Sequence, residues 1–323
     1  MEEIKFIATD SDAGLRLDKC IAVNYPEVSR SYVQKLIESG GAWINGNTGR
    51  CKDFVREGDE VKVLIPDPEG LEVDAEDIPL DIVFEDDDVI VVNKPKGMVV
   101  HPAAGHYTGT LVNGLLYHCK GSLSGINGIL RPGIVHRIDK DTTGIIVACK
   151  NDVAHRNLAE QFKEHTITRR YDALVYGTFK EPKGRVESFI SRNPDERMKM
   201  MVNQNRGKYA ATNYTVKEQF GNKYAHIVCQ LETGRTHQIR VHMTSLGHPL
   251  LGDTVYGPKK DPFHLTGQTL HAGVLGFLHP TTGKYMEFST ELPEYFCELT
   301  EKLRNQFGSS VFSAEGELCQ HET

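Results

Sequence analysis

The sequence predicts an α+β protein in which a small domain of two helices and a hairpin precedes a large sheet domain. Strand-like segments such as "YDALVYGTF" and "YAHIVCQLET" lack regular helical crossovers, which favours an α+β sheet over a doubly wound one. The chain has no G-x-G-x-x-G, G-x-x-x-x-G-K-[ST] or G-x-S-x-G segment, so dinucleotide, P-loop and α/β-hydrolase folds lack their signatures. An acidic connector with prolines, "PDPEGLEVDAEDIPL", separates the two domains.

The small domain begins with two short helices and ends in a hairpin. Apolar residues recur at helical spacing, as Leu17, Ile21 and Tyr25 in the first helix and as Val33, Leu36 and Ile37 in the second. Pro26 ends the first helix, and Ser29 is a candidate N-cap for the second. The pair Asn45-Gly46 predicts a hairpin turn, and "EVKVLIP" predicts an alternating strand after it.

We expect the small domain to span residues 1–66, a linker 67–80, the large domain 81–308 and a mobile tail 309–323. In the large domain, two strands surround the turn Asp86–Asp88. One helix covers "NDVAHRNLAEQFKEH", with Asn151 or Asp152 as its cap, and another covers "THQIRVHMTSLG".

Charge is distributed unevenly along the chain. The formal net charge is -7, yet residues 89–260 carry 25 Lys and Arg against 13 Asp and Glu. Residues 71–88 carry nine acids and no base. The positive potential of the middle segment suits a polyanion such as RNA, although an ordinary solvated surface is the alternative.

Several classes of protein are disfavoured by composition. No apolar run approaches the roughly 20 residues of a membrane span, and the acidic start lacks the pattern of a secretory signal, so we expect a cytoplasmic protein without a membrane partner. Seven scattered cysteines form no C-x-x-C pair, and fourteen histidines form no H-E-x-x-H, so no metal site is expected.

The segment "HRIDKDTTG" concentrates acids and bases before an apolar run. Asp139 is a candidate nucleophile or base because an aspartate is ionised at neutral pH and nearby arginines keep it so. Arg137, two residues earlier, projects to the same side if the backbone is extended. On spacing alone, an ordinary surface ion pair remains an equal alternative.

The wider pattern resembles the RluA/RluD family of pseudouridine synthases. The match rests on "GIVHRIDKDTTGIIV", on "VVNKPKGMVVHP" upstream, and on "RRYDALVYG" and "LETGRTHQIRVHMTSLGHPLLGDTVYG" downstream. The family signature reads H-R-L-D-x-x-T-S-G-L, so Ile138 and Thr143 are mild departures from it. The segments "RLDK", "SRSYVQKLIESGGAWING" and "EGDEVKV" resemble the S4 RNA-binding domain, although a packing domain is the alternative.

The resemblance implies a mixed, mainly antiparallel sheet and the isomerisation of uridine to pseudouridine in RNA without a cofactor. Asp139 would attack or deprotonate a flipped-out nucleoside, by addition to the base or elimination at the sugar. Arg137 would occupy the place that the flipped base vacates. Tyr171 would stack on the base and accept its C5 proton, unless it is only a core tyrosine, and Arg240 would pair with Asp139.

The implied partner is large-subunit ribosomal RNA or its precursor particle, with transfer RNA as an alternative, and the implied state is a monomer. Basic side chains are candidate phosphate contacts that would give affinity without sequence information. In the small domain they are Arg16, Lys19, Arg30 and Lys35, and in the large domain Lys94, Lys96, Arg131, Lys140, Arg169 and Arg170.

Two other functions remain open at this point. A non-catalytic RNA-binding or assembly factor could use the same fold, although it would not need Asp139, Tyr171 and Arg240 together. A nucleoside hydrolase would need a second carboxylate, and only Asp141 is close in sequence.

Overall fold

The computed structural model describes residues 2–25, 30–65, 73–103, 106–128, 131–196, 198–313 and 318–320. The chain divides into two units, Met1–Leu71 and Glu72–Thr323. In the described ranges, no helix has the length and apolar character needed to cross a membrane.

The first unit packs two helices on a four-stranded antiparallel sheet of order β1-β4-β2-β3. Its elements are β1 (Glu2–Ile7), α1 (Leu17–Asn24), α2 (Arg30–Glu38), β2 (Ala42–Ile44), β3 (Asn47–Thr48) and β4 (Glu60–Ile65). The turn between β2 and β3 has positive φ at Asn45 (48°) and Gly46 (78°), as a two-residue hairpin requires. Strand β1, which pairs along β4, was not predicted. The predicted stop at Pro26 and cap at Ser29 lie outside the described residues.

The described part of the second unit is built on one mixed sheet of twelve strands. Nine form the path β10-β9-β11-β12-β8-β13-β7-β6-β5, while β14 pairs with β13, and β15 pairs with β11 and β16. The strands are β5 (Ile82–Glu85), β6 (Val89–Lys94), β7 (Thr143–Cys149), β8 (Thr168–Tyr176), β9 (Lys183–Arg192), β10 (Met200–Asn203), β11 (Lys208–Phe220), β12 (Tyr224–Leu231), β13 (Leu270–Leu278), β14 (Tyr285–Ser289), β15 (Ser310–Phe312) and β16 (Leu318–Gln320). The prediction of a mixed, mainly antiparallel α+β fold is confirmed, because β7 and β13 are parallel and the other described pairs are antiparallel.

Among the residues that the structure describes, four helices cover this sheet: α3 (Leu111–Cys119), α4 (Asp152–Lys163), α5 (Gln238–Ser245) and α6 (Glu294–Phe307). Successive residues of β7 alternate between two cores, as side chains on opposite faces of a strand do. Ile146 joins the core that contains α3 and α5, and Ile145 joins the core that contains α4. The predicted helix start at Asn151 is confirmed, since its side chain accepts a hydrogen bond from the Ala154 backbone N–H.

Strand β7 starts at a close crossing with β13. Gly144, the last residue of "DTTG", has φ +109°, and a Cβ there would overlap the Ala272 backbone. Only glycine fits this conformation and this spacing. The crossing fixes the backbone directly after the loop that carries Asp139.

Two predicted irregular segments are partly ordered. The tail prediction is wrong for residues 310–312 and 318–320, because β15 pairs with β11 at Ser310 and Phe312 packs against the main core. The linker prediction is too long at its end, because Asn113 donates a hydrogen bond to the Asp74 carbonyl (2.8 Å) and Leu80 packs against the same core. In both cases, apolar side chains anchor a segment whose polar composition suggested exposure.

Candidate active site

The buried side chain of Lys94 forms hydrogen bonds to the backbone of the loop that carries Asp139. The Lys94 side chain is fully buried, and its Nζ donates to the backbone carbonyls of Pro95 (2.8 Å), Met98 (2.9 Å) and Lys140 (2.9 Å). Burial lowers the pKa of Lys94 to about 7, although the charges of Asp141 and Asp139 oppose this effect. The prediction of Lys94 as a phosphate contact is therefore wrong: its three donors are used inside the protein.

Arg240 joins two aspartates from distant parts of the chain. Its Nη1 donates to Asp139 Oδ2 (2.8 Å), while its Nε and Nη2 donate to Asp253 Oδ2 (2.7 Å) and Oδ1 (2.9 Å). Asp253 thus takes two nitrogens of the guanidinium fork and leaves the third aimed at Asp139. The predicted contact between Arg240 and Asp139 is present in the structure.

Burial and charge act in opposite directions at this ion pair. Burial alone would raise the pKa of Asp253, but hydrogen bonds and positive charge from Arg240, with two backbone N–H groups, lower it. Burial opposes the charged form of Arg240 as well, yet Asp253 and Asp139 raise its pKa above the ordinary value. Asp253 and Arg240 are consequently both ionised at neutral pH.

His237 approaches Asp139 from the start of helix α5. It has a left-handed backbone (φ 56°), and its Nε2 lies 3.8 Å from Asp139 Oδ1. Tyr256 accepts a hydrogen bond from the Met200 backbone N–H (2.7 Å), and its hydroxyl also forms a hydrogen bond with His237 Nδ1 (2.9 Å). Nδ1 is therefore engaged by the tyrosine, and Nε2 is the nitrogen that faces the aspartate. Burial lowers the pKa of His237, whereas Asp139 raises it.

Two adjoining cavities meet at Asp139. The inner slot has a volume of about 60 Å³ and includes Ile138, Thr142, Gln238, Arg240 and Leu270 in its wall. The outer cleft has a volume of about 590 Å³ and includes His136, Phe162, His165, Arg169 and Gly234. Both cavities share Arg137, Asp139, Tyr171, Leu231, Arg235 and His237.

Tyr171 in β8 contributes a ring to both cavities. Its burial raises the pKa of the hydroxyl, the charge of Arg169 lowers it, and that of Asp139 raises it. The tyrosine is therefore a neutral hydroxyl at neutral pH. The arrangement places a carboxylate and the phenol ring of Tyr171 around one slot, which suits chemistry on a planar ring that enters beside Asp139.

The other predicted phosphate contacts differ in how far they reach solvent. Arg137 is exposed at both cavities, and Arg131, Lys140 and Arg170 are exposed as well. The prediction of Lys96 as a phosphate contact is wrong, because its Nζ donates to the Gly267 carbonyl (3.2 Å) and lies 4.3 Å from the centre of the Tyr295 ring. Arg169 is buried in the wall of the outer cleft.

In the first unit, two predicted contacts are tied to an acid. Both Arg16 and Arg30 donate to the fully buried carboxylate of Asp18, which also accepts from Gln34 (2.6 Å). These arginines keep partial exposure but have a counter-ion within the fold. Lys19 is exposed, and the side chain of Lys35 lies outside the described residues.

Asp253 was not predicted from the sequence as a residue of the site, and His237 was assigned no catalytic role. The signal for Asp253 was an acid in the apolar segment "HPLLGDTVYG", where an ionised group needs a buried partner. For His237, its position next to Gln238 and Arg240 at the start of a helix was the available signal.

One group among the described residues has the spacing of metal ligands: Asp86, Asp88 and His279. His279 Nδ1 accepts from the backbone N–H groups of Thr281 (3.3 Å) and Thr282 (3.1 Å), so its Nε2 carries the proton and donates to Asp86 (2.8 Å). A protonated nitrogen has no lone pair for a metal. The hydrogen bond between His279 and Asp86 links the end of β13 to the turn between β5 and β6.

Comparison with known proteins shows which family this chain resembles. The family model described as RNA pseudouridylate synthase matches residues 88–245. A Bacillus subtilis protein named "Uncharacterized RNA pseudouridine synthase YlyB" is 50% identical, over 94% of this chain and 99% of its own. A Zymomonas mobilis protein named "Ribosomal large subunit pseudouridine synthase D" is 48% identical, over 88% of this chain and 93% of its own.

Among solved structures, "Human RNA Pseudouridylate Synthase Domain Containing 1" has a TM-score of 0.55 and 27% identity, covering 74% of this chain and 97% of the human chain. The relatives cover nearly the whole chain at high identity, and their shared domain contains the loop of Asp139 and helix α5. The chain therefore belongs to the RluA family of RNA pseudouridine synthases, isomerases that convert uridine to pseudouridine in RNA.

Proposed function

We propose that this enzyme modifies uridines of large-subunit ribosomal RNA, with Asp139 as the residue that attacks or deprotonates the target nucleoside. The contact of Asp139 with Arg240 (2.8 Å), at the junction of the slot and the cleft, carries the second part of this proposal. The first part is supported by relatives from Zymomonas mobilis and Neisseria meningitidis, 48% and 42% identical, that are named "Ribosomal large subunit pseudouridine synthase D".

The inner slot receives the base of a uridine that has left its helix. Flipping costs a few kcal/mol, and Arg137, exposed where both cavities open, takes the vacated place between the stacked bases. Arg240 binds Oδ2 of Asp139 and so fixes the orientation of the carboxylate, while Oδ1 remains for the substrate.

Tyr171 stacks on the base and accepts the C5 proton late in the reaction. Burial raises the pKa of its hydroxyl, so a free tyrosinate is not formed at neutral pH. Tyr171 must then release its own proton as it accepts the C5 proton. Asp139, which shares both cavities with it, is the acceptor we propose.

The first unit serves as an S4-like RNA-binding domain in this proposal. Two helices on a small sheet and an exposed Lys19 support this assignment. We further propose that the enzyme acts as a cytoplasmic monomer on the RNA or on its precursor particle.

The hydrolase alternative is disfavoured by the carboxylates around the site. Asp139 is the only acid among the described residues that line the slot or the cleft. Asp253 is 2% exposed with both oxygens bound, and Asp141 lines neither cavity. A hydrolase that needs a second catalytic carboxylate would not find one here.

Tritium release from large-subunit ribosomal RNA labelled at uridine C5 tests the proposal. We expect release by the wild type, none above background by Asp139→Asn, and release within about tenfold of the wild type by Asp141→Asn, the matched acid of the same motif. Release by Asp139→Asn would remove Asp139 from the chemistry. Release from transfer RNA alone would show that the proposed substrate is wrong and the isomerase chemistry right.

A further inference from the structure

The outer cleft contains a buried arginine, Arg169, that forms no ion pair with any described residue. Arg169 is 6% exposed, and its Nε and Nη2 have no hydrogen-bond partner among the described residues. Its guanidinium lies 5.9 Å from the centre of the Phe162 ring, which offers only a weak cation–π contact. A buried cation without partners is costly, so such a group normally has a ligand or an acid beside it.

The surroundings of Arg169 add positive charge. Arg137 and Arg235 line the same cleft and form no ion pair with an acid among the described residues, whereas Lys163 pairs with Glu160 outside it. Asp139, the only described acid of the cleft, already pairs with Arg240. Burial lowers the pKa of Arg169, Tyr171 opposes this effect, and the charge of Arg235 lowers it further. Arg169 nevertheless stays protonated, because arginine is not deprotonated in proteins. The cleft therefore has uncompensated positive charge.

Gly234 leaves the space that this guanidinium occupies. A Cβ on Gly234 would overlap Arg169 Nη1, whereas the backbone of Gly234 does not have a positive φ that would itself require glycine. The missing side chain thus allows the guanidinium to lie against the chain between β12 and α5. This position belongs to the wall of the cleft next to Asp139.

We propose that Arg169, assisted by Arg235, binds one backbone phosphate of the RNA next to the target uridine. Phosphate is the anion that RNA brings, and a guanidinium fork binds two of its oxygens at once. Because the cleft and the slot share six residues, a phosphate in the cleft belongs to the same nucleotide as the base in the slot or to its neighbour. The inference rests on the proposed entry of the uridine beside Asp139.

Arg169→Met tests the site because methionine fills the volume and removes the charge. We expect kcat/KM on a substrate stem-loop to fall about 10- to 100-fold, the effect of a hydrogen bond to a charged group. The melting temperature should stay equal or rise, since an unpaired buried cation is lost. Arg156→Met, an exposed arginine on α4 that lines neither cavity, is the matched control and should retain the wild-type rate.

Single methylphosphonate substitutions near the target uridine identify the phosphate. In the wild type, one substitution should lower kcat/KM by about the same factor as Arg169→Met, and in the variant that substitution should have no further effect. Gly234→Ala, which displaces the guanidinium and keeps its charge, should reproduce the loss, whereas Gly125→Ala, in open space, should not.

Three outcomes would overturn the inference: a rate for Arg169→Met within twofold of the wild type, losses that are additive with every methylphosphonate, or a lower melting temperature that explains the lost activity. The stem-loop is one on which the wild type forms pseudouridine, from ribosomal or from transfer RNA. An error in the proposed RNA thus changes only the choice of stem-loop, and an active Asp139→Asn would refute the proposed function separately.

Discussion

Replacing Asp253 by asparagine removes one charge from a pair that lies away from water. Asp253 binds Arg240 through both oxygens, and its Oδ1 also accepts from the backbone N–H groups of Val255 (2.9 Å) and Tyr256 (3.0 Å). An asparagine that keeps its oxygen on the Oδ1 side turns its NH₂ toward Arg240 Nε, another donor. The variant therefore loses the charge and one hydrogen bond together.

Breaking a buried ion pair by removing one partner costs about 3–5 kcal/mol of unfolding free energy. In a domain of this size, about 1 kcal/mol shifts the melting temperature by about 2–4 °C, so we expect a decrease of about 6–20 °C. Arg240 then retains its bond to Asp139 and one bond to the remaining oxygen at position 253, but it loses the two-point contact that fixes its orientation, so kcat should fall about 10- to 100-fold. Because the folded-state pKa of Asp253 is below its ordinary 3.8, this stabilisation is complete above pH 3.8 and is lost as the pH falls through the folded value.

Urea unfolding followed by far-ultraviolet circular dichroism measures the change, and tritium release measures kcat. The single tryptophan, Trp43, lies in β2, so its fluorescence reports on the first unit and serves as an internal control. Asp195→Asn, an exposed acid in the loop after β9, is the matched control. An Asp253→Asn variant within about 1 kcal/mol and twofold in kcat of the wild type would refute the reasoning.

Three further predictions concern side chains around the same loop. Lys94→Met leaves the carbonyls of Pro95 and Met98 without their donor, and the Lys140 carbonyl keeps only the Gly97 N–H, so urea unfolding should show a loss of about 2–4 kcal/mol and tritium release a lower kcat; unchanged values would contradict its role in holding the loop. His237→Asn tolerates the left-handed backbone but cannot reach Asp139, so kcat should fall about tenfold at nearly constant stability, and an equal kcat would exclude His237 from the chemistry. Burial and the charge of Arg169 lower the pKa of His136 to about 3. The unfolding free energy is therefore highest above pH 6.5, where the imidazole is neutral in both states, and it declines as the pH falls toward 3 because only the unfolded state then binds a proton. Between pH 7 and pH 5 the wild type should lose about 1–2 kcal/mol more unfolding free energy than His136→Gln; parallel profiles would contradict this.

Local signals in the sequence predicted local structure well. The cap at Asn151 and the turn at Asn45-Gly46 each depend on a few neighbouring residues, and both are present in the structure. The pairing of Arg240 with Asp139 was predicted only through the family resemblance, because no local pattern connects positions 101 residues apart.

The orientation of charged side chains could not be predicted in the same way. Lysines are almost always exposed, so Lys94 and Lys96 were expected to face RNA, whereas carbonyls and an aromatic ring bind them inside. Their partners come from loops that meet only through the tertiary fold. For the same reason, the order of the tail at Phe312 depends on a core built from the rest of the unit.

The place of β13 in the sheet bears on how this enzyme acquires activity during synthesis. Strands β5–β7 and β8–β12 do not pair with each other in the described chain; β13 (Leu270–Leu278) lies between them, antiparallel to β8 and parallel to β7. Asp139 precedes β7, and Tyr171 lies in β8. A nascent chain can form each half of the sheet early, but the two halves become one continuous sheet only after β13 has left the ribosome. Because such non-local pairing is slow, the enzyme becomes competent to modify RNA late, as one of the last events of its folding.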